Sequence, residues 1–183
     1  MSTRKMYVFD FDDTLVRSPS RVIVIKPNGQ VLKLDSAQYA SYVPRKGDKL
    51  DFSEFEKLPR PKIIREMMQM MIDVYRDHGP SNVAVLTARA SALPIRRLLD
   101  KLGLFGVEIV TTGTSDPLAK AANIVKWIRE RDLHSIEFFD DSKRNIETVE
   151  ALVHKFPDVR IKAHLVVHKD QRRYQDHSET SES

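Results

Sequence analysis

Three carboxylates close an apolar run near the start of the chain, where Tyr7-Val8-Phe9 leads directly into Asp10, Phe11, Asp12 and Asp13. Like charges held that close raise one another's pKa and destabilise the site unless a cation sits among them. A bound metal ion is the obvious candidate. A second pair of acids, Asp140-Asp141, ends another apolar run at Phe138-Phe139. Carboxylates from two strand ends that meet at one edge form a hard-oxygen site of the kind Mg²⁺ shares with phosphate oxygens. Lys120 belongs to the same discussion, because Asp116-Pro117 predicts a helix start with Asp at the N-cap and Pro at the first helical position. The helix dipole opposes a cation in that first turn, so Lys120 is either solvated or matched by an anion, such as a phosphate or the acid cluster.

Five apolar runs must position these groups: Met6–Phe9, Val83–Leu86, Val107–Val110, Ile136–Phe139 and Ala163–Val167. Short and almost continuously hydrophobic, they predict strands of a parallel sheet covered on both faces. Between them, helical spacing predicts helices over Pro61–His78, Leu93–Leu102, Pro117–Arg131 and Asn145–Phe156. Met67, Met70 and Met71 in the first of these read as core packing, alongside Ile63, Ile64 and Val74. The alternation predicts an α/β fold, an open parallel sheet with right-handed crossovers and helices on both faces. Such sheets bind ligands beyond the carboxyl ends of their strands. Asp10 and Asp12, Thr87 and Arg89, Thr111 and Thr112, and Asp140 and Asp141 all fall at predicted strand ends.

Residues 17–60 interrupt the alternation. Arg21–Ile25 and Gln30–Leu34 flank Pro27-Asn28-Gly29, which predicts a β-hairpin inside an insertion too small to fold alone. The expected organisation is one domain over 1–170, with a polar, disordered tail over 171–183. Zero cysteines exclude disulfides, Cys-ligated zinc and a cysteine nucleophile. The net charge of +4, from 30 basic and 26 acidic residues, is compatible with a polyanionic partner. No long apolar window and no apolar leader segment is present, so a cytoplasmic protein without a membrane partner is expected. His164 and His168 fall on one face of a strand, and that spacing alone is not read as a zinc site.

These motifs together resemble the haloacid-dehalogenase-like phosphohydrolase superfamily. Val8-Phe9-Asp10-Phe11-Asp12-Asp13-Thr14-Leu15 matches its first motif, Thr87 the second, Lys120 the third, and Phe138-Phe139-Asp140-Asp141 the fourth. The fourth motif departs from the family's common pattern: Asp140 stands where a glycine is usual, and Asn145 replaces the final acid. The resemblance implies a Rossmannoid fold of this superfamily, with the hairpin insertion as a minimal cap, and Mg²⁺ as cofactor. It implies Asp10 as nucleophile and metal ligand, and Asp12 as acid and base with its backbone carbonyl on the metal. Thr87 and Lys120 would stabilise the transferring phosphoryl group. Asp141 is expected as the direct metal ligand with Asp140 and Asn145 supporting it, though the sequence leaves the choice between the two aspartates open. Asp13 is expected to face away as a turn residue.

A minimal cap implies an open site. Leu86-Thr87-Ala88-Arg89 with Phe138 to Asn145 resembles the phosphatase domains of polynucleotide kinase/phosphatase and related RNA-repair enzymes. The expected substrate is therefore a phosphorylated nucleic-acid end or a nucleotide, gripped by Arg89, Arg17 and Arg21. A small nucleotide-monophosphate phosphatase, a phosphoserine protein phosphatase and a catalytically silent binding module are the alternatives. The sequence leaves open whether a kinase or ligase partner works beside it.

Overall fold

Alternate side chains of the first strand go to opposite faces of a sheet: Met6 and Val8 join one apolar cluster, and Phe9 joins the other. The structure is a computed structural model that describes residues 4–58 and 60–167. The chain runs through β1 (Lys5–Phe9), β2 (Val16–Arg17), β3 (Val22–Ile25), β4 (Val31–Leu34), α1 (Ser36–Ser41), β5 (Lys49–Asp51) and α2 (Ser53–Glu56). It continues with β6 (Lys62–Ile63), α3 (Arg65–His78), β7 (Val83–Thr87), α4 (Leu93–Lys101) and β8 (Glu108–Thr111). Then come α5 (Pro117–Arg131), β9 (Ser135–Asp140), α6 (Lys143–Glu150) and β10 (Arg160–Leu165).

Five strands pair in the order β10-β9-β1-β7-β8, each neighbouring pair parallel. Helices cover both faces. Met67, Met68 and Met71 of α3 pack with Ile95 and Leu99 of α4 on one side. Ile124, Trp127 and Ile128 of α5 pack with Ile146 and Val149 of α6 on the other. The result is an α/β, Rossmann-like arrangement. β7 and β8 extend to one side of β1, and α5 then returns the chain to β9 on the other, so the strand order reverses between β1 and β9. The crevice at such a reversal is where open α/β sheets bind ligands.

Several boundaries differ from expectation. Helix α3 begins at Arg65, not at Pro61. Lys62 and Ile63 instead pair antiparallel with Arg17 and Val16, while Ile64 N–H donates to Leu15 O at 2.9 Å. This pairing forms a two-stranded stem for the insertion and overrides the local helical spacing. Within α3, Met68 is buried and Met70 is 40% exposed, the reverse of the pattern read from sequence. The last predicted helix is α6 followed by a 3₁₀ turn, Ala151–His154. Beyond the stem, the expected hairpin of β3 and β4 gains β5 as a third strand, in the order β4-β3-β5. Gly29, at φ 84°, turns the hairpin, and Lys26 N–H donates to Gln30 O at 2.8 Å. The tail over 171–183 and His168 lie outside the described residues. His164 stacks on Phe139 at 4.7 Å and pairs with Glu137. Among the described residues, no helix is long and apolar enough to cross a membrane.

Candidate active site

The crevice between β1 and β9 is lined by acids because each strand ends in one. Asp10 immediately follows β1, and its backbone N–H continues the sheet by donating to Phe139 O at 2.9 Å. Phe11 turns into the core, fully buried, and Asp12 comes back to the cleft side. Asp140 ends β9 and Asp141 follows it. Thr87 ends β7, with its hydroxyl oxygen accepting the Arg89 N–H at 3.1 Å. Asp10, Asp12, Thr87, Arg89, Asp140 and Asp141 line one cleft of about 630 Å³, together with Lys120.

Lys120 arrives from the first turn of α5, where Asp116 caps the helix by accepting the Leu118 N–H at 3.0 Å. Its Nζ donates to Asp10 Oδ1 and to Asp140 Oδ2, each at 2.8 Å, and the side chain is 4% exposed. Burial opposes its charge, yet Asp10 and Asp140 hold its pKa above the ordinary lysine value. The anion that a first-turn cation requires is thus the acid cluster itself. Asp140 is fully engaged: Oδ2 also accepts from Asn145 Nδ2 at 2.9 Å, and Oδ1 accepts the Ser142 N–H at 2.8 Å. Asp10 Oδ2 accepts from the Thr14 hydroxyl at 3.1 Å.

One ammonium does not balance the remaining acids. Burial, reinforced by the charge of Asp140, pushes Asp10 up to about 6 against the pull of Lys120 and a hydrogen bond with Asp141. Burial, then the charge of Asp10 and the hydrogen bond to it, push Asp141 up to about 10, with Asp140 and Asp13 adding to the rise. Asp10, Asp140 and Asp141 each offer an oxygen, and these atoms lie within 4.8 Å of one another. An all-oxygen donor set with excess negative charge fits a hard divalent cation. Asp141 is only partly buried, whereas both oxygens of Asp140 already accept hydrogen bonds from the protein.

Asp12 is matched separately. Arg89, 4% exposed, grips it through Nε at 2.7 Å and Nη2 at 2.8 Å. The other guanidinium N–H groups reach Phe55 O at 2.8 Å, Lys57 O at 3.2 Å, and the hydroxyls of Ser18 and Ser20. All five N–H donors of Arg89 therefore have protein acceptors, and the side chain ties Asp12 to the insertion. Arg17 and Arg21, expected beside a substrate, do not line the cleft. Arg21 bonds Glu54 through its backbone and pairs with Asp35 at 3.4 Å. Arg144 of α6 does line it, a basic residue the sequence reading passed over although it lies three positions after Asp141. Asp13 is a turn residue, as expected, at φ 60°, but it does not face away: it lines the cleft with the other acids. The insertion adds an aromatic wall of Tyr39, Phe52 and Phe55.

Compared with known proteins, the chain matches no protein-family model, and no curated protein matches it.

Proposed function

We propose that this protein is a Mg²⁺-dependent phosphomonoester hydrolase acting through an aspartyl-phosphate at Asp10. In this reading it is a phosphatase of the haloacid-dehalogenase-like type, with residues 17–60 as a small cap. Its substrate is the phosphate of a nucleic-acid end or a nucleotide. The observation that carries the proposal is the buried Lys120 bridging Asp10 and Asp140, 2.8 Å from each, at the point where the strand order reverses. Such a lysine leaves a carboxylate nucleophile charged but screened, and two of its three N–H donors are used. The third is the donor this reading assigns to a phosphoryl oxygen.

The reaction follows from the residues in turn. An Asp10 oxygen attacks phosphorus in line while the bond to the leaving oxygen breaks, and Asp12 gives that oxygen a proton. Water then attacks the aspartyl-phosphate and loses its proton to Asp12, releasing phosphate and regenerating Asp10. Each Asp12 oxygen accepts one Arg89 N–H and keeps a second lone pair for this exchange. The Thr87 hydroxyl accepts from Arg89 N–H, so its own hydrogen serves as a donor to the phosphoryl group. Asp10 and Asp141 would hold Mg²⁺, with the Asp12 carbonyl added by the family resemblance and Asp140 holding Lys120 in place. When bound, the ion supplies charge neutralisation on the phosphoryl oxygens.

A phosphate-release assay with Mg²⁺ tests this, comparing a 3′-phosphorylated oligonucleotide, a nucleoside 3′-monophosphate and a phosphoserine peptide at two salt concentrations. The proposal expects the nucleic-acid substrates to exceed the peptide. Preference for the peptide moves the reading to a protein phosphatase. Turnover of none of the three, with an ion still bound, moves it to a silent binding module.

A further inference from the structure

Two aromatic side chains in the cleft have no part in the reaction just described. Phe52, in the turn between β5 and α2, is 44% exposed, a large apolar ring open to water. Tyr39 of α1 braces it edge to face, with centroids 5.4 Å apart and planes at 85°. Phe55 differs, because its ring lies against the Arg89 guanidinium at 5.1 Å and is already engaged. Phe52 is therefore the most exposed ring of this wall, in the same cleft as the acid cluster.

The charges of the cleft decide what that face can recognise. Lys120 and Arg89 are matched by Asp10, Asp140 and Asp12, and the insertion side contributes an acid, Glu56. Arg144 is the other basic lining residue among those described. A run of backbone phosphates would meet little positive charge here, so affinity beyond the reacting phosphate must come from neutral contacts. A nucleobase supplies one, since every base has a π-face that stacks on an aromatic ring whatever its sequence. We infer that Phe52, braced by Tyr39, stacks the base of the single nucleoside whose phosphate enters the acid site. This rests on the hydrolase reading above and narrows its substrate class to one nucleotide unit, free or terminal.

The test uses the full chain carrying Asp10→Asn, which holds ligand without turnover, with Mg²⁺ present. Binding of a nucleoside 3′-monophosphate is compared with that of an abasic sugar phosphate, with and without Phe52→Ala and Phe52→Tyr. The nucleotide binds more tightly than the abasic phosphate, Phe52→Ala weakens the nucleotide about tenfold, and Phe52→Tyr keeps most of the affinity. Abasic phosphate binding moves less than about twofold in both variants. Equal binding of nucleotide and abasic phosphate, or a Phe52→Ala variant that holds the nucleotide as tightly as its parent, overturns the inference. Base-dependent binding lost in Phe52→Ala, alongside a wild-type chain that hydrolyses no phosphomonoester, removes the hydrolase reading and leaves the stacking site standing.

Discussion

Asp12 and Arg89, 77 residues apart in sequence, meet as a bidentate ion pair with contacts of 2.7 and 2.8 Å. The same guanidinium reaches two backbone carbonyls of the insertion. One side chain thus fixes the proposed acid–base group and fastens the insertion over it. Removing one partner of a buried pair leaves the other uncompensated, so Arg89→Ala lowers unfolding free energy by on the order of 3 kcal/mol in denaturant titration. Turnover falls with it, and Arg89→Lys recovers stability better than turnover, because an ammonium cannot reproduce the fork. A rise in KM with kcat intact would instead mean that Arg89 grips substrate.

Lys120 and Lys126 share helix α5, but only Lys120 reaches the acids. Lys120→Ala depresses kcat by at least about tenfold, equivalent to roughly 1.4 kcal/mol in barrier height. Lys126→Ala leaves kcat within about twofold. Steady-state kinetics on the two variants reads the difference directly, and the reverse ranking would remove Lys120 from the mechanism.

Asp10 at about 6 and Asp141 at about 10 both lie above the ordinary 3.8 of an unfolded aspartate. Above pH 3.8 the folded state therefore binds more protons than the unfolded state, and its stability declines as pH rises through those values. Asp48, Asp51 and Glu137 are shifted downward and act at more acid pH. Between about pH 5 and about pH 8, the metal-free protein loses thermal stability with rising pH, and saturating Mg²⁺ flattens the decline. Identical melting profiles with and without the ion would show that no cation answers the excess charge.

The two aspartates after Phe139 have different surroundings and separate by mutation. Asp141→Asn weakens Mg²⁺ binding at least about tenfold while leaving metal-free stability unchanged or higher, because a neutral amide replaces a carboxyl that, held up to about 10, is protonated at neutral pH without the metal. Asp140→Asn removes the charge from a group that holds Lys120, Asn145 and the Ser142 N–H, and it lowers stability by about 2 kcal/mol or more. Calorimetric Mg²⁺ titration beside thermal melting distinguishes them.

The sheet was legible because its strands are short apolar runs that stop at polar residues: Phe9 before Asp10, Leu86 before Thr87, Phe139 before Asp140. The cap of α5 was legible from Asp116-Pro117 alone. The partner of Arg89 was not, since no local pattern encodes a contact between residues 77 positions apart. The insertion was half legible. Pro27-Asn28-Gly29 marks its hairpin, but β5 and α2 are short elements held by tertiary bonds such as Ser20 Oγ to Glu54 O at 3.1 Å and Arg21 N to Glu54 Oε2 at 2.6 Å. The helical spacing after Pro61 misled for a related reason, because Lys62 and Ile63 gain a strand partner in Val16 and Arg17.

The central claim is that Asp10 carries the phosphoryl group. The most direct measurement is an acid-quenched single turnover with Mg²⁺ and a nucleoside 3′-monophosphate, followed by mass analysis of the peptides. The account predicts one added phosphoryl group on the peptide that contains Asp10 and none in Asp10→Asn, which also releases no phosphate. Phosphate release at the wild-type rate by Asp10→Asn, or an adduct on a different residue, would contradict it.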